Sequence, residues 1–285
     1  MTDRRFAALM MAPAAAFLLA FVAWPLLRFV TNGFYDISPV AGGPREFVGL
    51  DNFAAAVTSS AFQGASWRTG LYTLIVVALE FTVGLGVALV FASLGSKSAV
   101  FRTMFMYPLM MAPVVAGLLW RFLLIDNFGI VNELLGIDVG WLSEPGIALY
   151  SVALPDVWLT TSFITLVLFA GLQNVPGEVI EAAKLDGARF TTMLFRIIIP
   201  LLRPVIAVAL IVRGIDAARA FDIIVIQTNG GPQESTTTLS LLVYRTMTRY
   251  GDIGLASAMG TIYLLGMLLV ASVAVFAIWR PGADA

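Results

Sequence analysis

The sequence predicts an all-α membrane protein. It has six transmembrane helices, both termini in the cytoplasm, and an extended cytoplasmic loop between the fourth and fifth spans. Three observations carry that prediction. Of 285 residues, 59% are hydrophobic and only 12% charged, where a soluble domain has about 45–50% and about 25%. Apolar runs long enough to span, about 20 residues each, recur along the chain. Lys and Arg gather in loops that the runs would place on one side.

The first run is 6–30, after Arg4 and Arg5. Ala12-Pro13-Ala14 imitates a signal-peptide cleavage site, but the run exceeds the ~7–15 residues of a signal core, so it reads as a retained span. Residues 31–67, with Gly42-Gly43-Pro44, read as a loop. The second span is 71–94, followed by a turn at Gly95 to Ser98. The third is 101–125, with Pro108 and Pro113 inside it as kinks or cavity-shaping breaks. The fourth is 147–172, the fifth 204–226 and the sixth 253–279. No internal repeat is visible, so two fused transporter halves are not expected. Arg4, Arg5, Lys97, Arg102, Lys184, Arg189, Arg196, Arg203 and Arg280 fall on the cytoplasmic side. The outer loop 126–146 holds Asp126, Glu133, Asp138 and Glu144 and no basic residue. Arg45, Arg68, Arg245 and Arg249 run against the rule but do not reverse it.

Residues 173–203 are the most charged stretch and open with a short helix. Asn174 is placed to cap it, Pro176 suits the first turn, and Glu178 favours the positive end of the dipole. Gly187 can end it in the left-handed conformation. Ala182 and Ala183 make a smooth patch beside the charge of Glu181. Read from composition alone, this is a surface helix between two spans.

Its spacing is more specific. Glu181-Ala182-Ala183, three residues, Gly187, nine residues, Ile197, one residue, then Ile199-Pro200 resembles the EAA motif of binding-protein-dependent ABC importer permeases. The family usually has Leu at the place of Ile199. Asp186, Ala188, Phe195 and Pro204 also match. The run Phe221-Asp222 to Thr228-Asn229-Gly230-Gly231-Pro232 is similar to the outer loop of carbohydrate permeases. Thr236 to Leu239, Gly254 to Ala258, Trp24-Pro25 and Gly49 to Phe53 extend the likeness over nearly the whole chain. The likeness is to the first permease of maltose-type and glycerol-phosphate-type importers. The resemblance implies that Glu181, Ala182, Ala183, Asp186 and Gly187 couple this chain to an ATPase. It also implies a second permease, two ATP-binding subunits that hold ATP and Mg, and an extracytoplasmic solute-binding protein. The setting would be a bacterial or archaeal cytoplasmic membrane.

Arg213, Asp216, Arg219 and Asp222 recur every third residue with alternating sign, the spacing of an ion-pair ladder on one helix. If the span starts near Pro204, Arg213 lies about 14 Å in, close to the bilayer midplane. Charges there face protein or a watery cavity. They either neutralise one another, or pair with Glu80 or Asp156, or line the solute path, where arginine would suit hydroxyls or an anionic group. Trp120, Trp141 and Trp158 can stack on a sugar ring or mark the membrane interface.

Absences narrow the chemistry. With no Cys and no His, disulfides, thiolate nucleophiles, His triads and His metal sites are excluded. Lys97 and Lys184 sit in no phosphate-binding loop, so ATP hydrolysis belongs to another chain. A net charge of −1 and pI of about 5.5 argue against nucleic acid. Tyr250-Gly251-Asp252 lacks the second Gly of intramembrane aspartyl proteases. The expected function is an ATP-driven import permease for a sugar, polyol, oligosaccharide or anionic glycoside. The alternative is an ion-driven secondary transporter with Glu80, Asp156 and Asp216 as relay carboxylates.

Overall fold

The computed structural model describes residues 3–37, 44–126 and 128–278; Gly42, Gly43, Trp279 and Arg280 lie outside them. In chain order it begins with helices α1 (Asp3–Leu18) and α2 (Trp24–Asn32), then strands β1 (Tyr35–Ile37) and β2 (Arg45–Phe47). Helices α3 (Asp51–Thr58), α4 (Ser60–Leu94), α5 (Ala99–Phe105), α6 (Pro113–Leu124), α7 (Ile130–Leu135) and α8 (Ala148–Gln173) follow. The rest is α9 (Gly177–Leu185), α10 (Phe190–Met193), α11 (Ile199–Ala218), α12 (Asp222–Gln227), α13 (Leu239–Thr248) and α14 (Ile253–Ile278). Among the described residues, five segments are long and apolar enough to cross a membrane: Met10–Asn32, Ser60–Leu94, Ala148–Gln173, Phe190–Ala218 and Ile253–Phe276.

Prolines decide where these segments bend and break. A π-helical turn, Leu19–Ala23, joins α1 to α2, and another, Leu194–Ile198, joins α10 to α11. Each ends two residues before a proline, Pro25 and Pro200. A proline ring crowds the carbonyl four residues back, here Phe21 and Arg196, and the wider turn relieves that contact. The fourth segment therefore begins at Phe190 rather than near Pro204. The expected third span, 101–125, is not one helix. Ala112 is extended (ψ 137°) because proline disfavours the helical region in the residue before it, and Met111 ahead of it is extended too (ψ 141°). Pro113 then opens α6 at its first position, where no N–H is needed.

The chain divides into two compact units, Met1–Ala65 with Leu239–Gly266, and Ser66–Thr238 with Met267–Ala285. The first has a core of Ala56, Phe62, Ala65, Leu239, Leu242 and Met259. Asn52 Nδ2 donates to the carbonyls of Gly33 at 3.1 Å and Tyr35 at 3.0 Å, fixing the entry to the β1–β2 hairpin. Gly254 presses on the same spot: a Cβ there would lie 2.2 Å from the Tyr35 carbonyl oxygen. Backbone cannot yield as a side chain can. Gly254→Ala is expected to destabilise the protein by roughly 1–3 kcal/mol, read as a lower melting temperature in detergent. An unchanged melting temperature would contradict this account of the hairpin.

In the second unit α4, α8 and α11 share a core of Leu85, Ala88, Phe91, Ile164, Leu168, Phe169 and Ala209. Helices α6, α8 and α12 pack on one another beside it. The second unit carries the charged residues of interest.

Candidate functional site

Arg213 of α11 is 2% exposed and Glu80 of α4 is wholly buried. Arg213 Nε donates to Glu80 Oε2 at 2.6 Å, and Nη2 donates to Glu80 Oε1 at 2.7 Å. That two-pronged geometry is the strongest form of such a pair. Nη2 also donates to Asp156 Oδ1 of α8 at 3.0 Å, and Nη1 to Asp216. Tyr72 donates its hydroxyl to Asp156 Oδ2 at 3.0 Å, and Thr160 donates to Glu80. The cluster pins three helices together, with every charged atom of Arg213 engaged. At its open edge the Asp216 side chain is 54% exposed and accepts from Arg219 Nη2 at 3.3 Å; the Arg219 side chain is 60% exposed.

This differs from the ladder read from spacing. Helix α11 ends at Ala218, Arg219 caps it, and Phe221 (φ −137°) starts a new helix. Asp222 lies in the first turn of α12, where the helix dipole favours it, and forms no fourth rung. Because the helical segment starts at Phe190, Arg213 sits nearer its end than its middle. Tyr72 and Thr160 were missed. Thr160 had a signal, since it follows Asp156 by one helical turn and shares its face.

Helix α9 is short, and its exposed face carries Glu181, Ala182 and Leu185, the last 89% exposed. Ala183 is turned inward and buried, so the smooth patch is Ala182 alone, flanked by Glu181 and Leu185. Pro176 stands at the helix start without a side-chain cap. Asn174 instead closes α8, its Nδ2 donating to the Ala170 carbonyl at 3.1 Å. At the other end Gly187 has φ +72°. Ala188 N–H donates to the Ala183 carbonyl at 2.9 Å, and Gly187 N–H to that of Lys184 at 3.0 Å. This is the paired bond pattern of a Schellman end, and it places exposed Asp186 and Gly187 at the tip.

Trp120 of α6 and Trp158 of α8 meet edge to face, with centroids 6.3 Å apart. Trp120 Nε1 is buried and meets no acceptor among the described residues. Trp141 is spoken for, donating to Asn132 Oδ1 at 2.6 Å. The turn Thr228-Asn229-Gly230-Gly231-Pro232 is held by buried threonines. Thr236 Oγ1 donates to the Gly231 carbonyl at 2.8 Å, and Arg68 Nε donates to the Thr237 carbonyl at 2.9 Å.

A family profile described as the binding-protein-dependent transport system inner membrane component matches residues 81–278. That span includes α9, α11 and the turn at 228–232. The chain belongs to this family. It is therefore an inner-membrane permease subunit, a transport component rather than an enzyme. It is 36% identical over 274 residues to the sulfoquinovosyl glycerol transport system permease protein SmoG of Agrobacterium fabrum, covering 94% of this chain and 89% of that one. It is 35% identical over 269 residues to the trehalose/maltose transport system permease protein MalF of Thermococcus litoralis, covering 93% and 89%. In fold it resembles a chain of a bacterial ABC transporter that imports the acidic polysaccharide alginate, with TM-score 0.82 and 22% identity over 97% of this chain and 96% of that one.

Proposed function

We propose that this permease carries a sugar or sugar-like solute in an ATP-driven importer. In that reading α9 docks on a separate ATPase. The exposed, rigidly ended α9 carries the reading most directly, because a coupling contact needs a fixed edge rather than a mobile loop. Glu181, Ala182, Asp186 and Gly187 would meet the ATPase, Leu185 would be buried on docking, and Ala183 would brace the helix from within. ATP and Mg would be held by two such ATPase subunits. A second permease would complete the wall of the path, and a soluble binding protein would deliver the solute. The named relatives handle sulfoquinovosyl glycerol and trehalose or maltose, which supports a polyhydroxylated solute here. The half-exposed pair Asp216 and Arg219 suits sugar hydroxyls, as do the indole N–H of Trp120 and the ring of Trp158; Arg213 would act by holding Asp216. Segment Ala99–Leu124, in two pieces, would serve as the remaining crossing, giving six with both termini cytoplasmic.

The ion-driven alternative needs carboxylates free to exchange protons. Glu80 and Asp156 are instead clamped on Arg213, which favours the ATP-driven reading. The test is uptake by proteoliposomes holding the complete importer. Uptake of a labelled oligosaccharide should require internal ATP and survive a protonophore. Glu181→Lys should abolish it while the protein still assembles in the membrane. Uptake driven by an ion gradient without ATP would overturn the proposal.

A further inference from the structure

An open groove of about 590 Å³ lies in the first unit, between the end of α2 and the β1–β2 hairpin. Trp24, Leu27 and Arg28 form one wall, and Tyr35, Arg45 and Phe47 form the other. Arg28 lies over the Trp24 ring at 4.8 Å from its centroid, and Arg45 over the Tyr35 ring at 3.9 Å. Stacking of this kind holds a guanidinium in place and leaves its N–H edges free. Among the described residues neither arginine joins an ion pair. The hairpin register explains why. Tyr35 pairs with Phe47 and Ile37 with Arg45, while Asp36 faces Glu46. Side chains alternate across a strand, so both acids fall on the ribbon face away from the groove. One side of the ribbon is basic and aromatic, the other acidic.

The apolar context is equally specific. The groove opens at the C-terminal end of the Met10–Asn32 segment, whose apolar window has none of its residues buried. Trp24, Leu27 and Phe47 are 57%, 60% and 66% exposed. An occupant must supply an anion for two guanidiniums and a hydrocarbon for that wall. A soluble anion has only the first. We infer that the groove holds the phosphodiester of an anionic phospholipid, with an acyl chain along Trp24 and Leu27. Aromatic rings favour this depth of a membrane, and a guanidinium bonds phosphate oxygens in charge-assisted pairs. A zwitterionic lipid brings an ammonium that the two arginines repel.

The assembled importer, in phosphatidylcholine nanodiscs doped with photoactivatable phosphatidylglycerol, tests this. Irradiation should label peptides containing α2 and β2 above all other membrane segments. Arg28→Gln with Arg45→Gln should lower that label by about tenfold, as loss of charge-assisted bonds predicts, while photoactivatable phosphatidylcholine gives no such focus in either protein. The wild-type map decides the matter even if the double variant fails to assemble. Label spread evenly over the apolar helices, or unchanged by the substitutions, would overturn the inference. So would loss of label on adding soluble glycerol phosphate, which marks a free-anion site.

Discussion

Arg213→Ala is expected to leave little folded protein and no transport. The substitution strips the counter-charge from Glu80, which is fully buried, and from Asp156, which is nearly so. Removing one partner of a buried pair costs about 3–5 kcal/mol, against a total stability of about 5–15 kcal/mol. Asp216→Asn should be mild by comparison. Its side chain is 54% exposed, and exposed ion pairs contribute about 0–1 kcal/mol. Arg213→Met with Asp216→Leu would rescue a simple helix pair, but here it still strands two buried carboxylates and should fail. Glu80→Gln, Asp156→Asn and Arg213→Met together should recover most of the loss, since a neutral, matched set needs no counter-charge. Melting temperature and yield of monodisperse protein in detergent measure all four. A wild-type melting temperature for Arg213→Ala would show that the cluster does not hold α4, α8 and α11 together. Transport by the neutral triple variant would place the buried charges outside the solute path and leave Arg219 as the cation at its edge.

What could be read from the sequence followed from local physics. Apolar run length matched the helices at 6–30, 147–172 and 253–279 closely, but it began the second at 71 where α4 begins at Ser60, inside the stretch read as a loop. It ran the fifth over 204–226 where the helical segment is Phe190–Ala218, because a π turn absorbs Pro200 at one end and the chain breaks after Ala218 at the other. The Gly187 end of α9 was readable because positive φ is a single-residue property. The pairing of Arg213 with Asp216 was readable because it spans one helical turn. Its fork with Glu80 joins residues 133 apart in sequence, and no spacing encodes such a contact. The only trace was a lone acid in an apolar run, which must find a partner; that put Glu80 and Asp156 among the options without choosing between them. Asp222 was misplaced because three-residue spacing assumes an unbroken helix, and the chain breaks at Ala220 and Phe221. The inward turn of Ala183 depends on how α9 rests on its own chain, which periodicity over nine residues does not fix.

Gly187→Val is expected to give a folded permease that no longer transports. At φ +72° Gly187 occupies the left-handed region, where a residue with a Cβ is less stable by about 1–2 kcal/mol and a β-branched one fits worse still. The space around it is open, for an added Cβ would meet nothing within 4 Å. The penalty is therefore conformational and falls on the helix end, not on the core. The bonds from Gly187 and Ala188 back to Lys184 and Ala183 would loosen, and the face of Glu181, Ala182 and Leu185 would lose its fixed direction. If α9 docks on an ATPase as proposed, it transmits nothing once its end is slack. Gly187→Asn supplies the control, because Asn adopts the left-handed conformation readily while adding similar bulk at the tip. Melting temperature and membrane yield should stay near wild type in both variants. Solute-stimulated ATP hydrolysis and uptake should fall by about tenfold or more in Val, equal to ~1.4 kcal/mol of lost coupling, and survive largely intact in Asn. Equal loss in Val and Asn would assign the effect to bulk at the docking face, and equal transport in Val and wild type would remove the left-handed end of α9 from the coupling step.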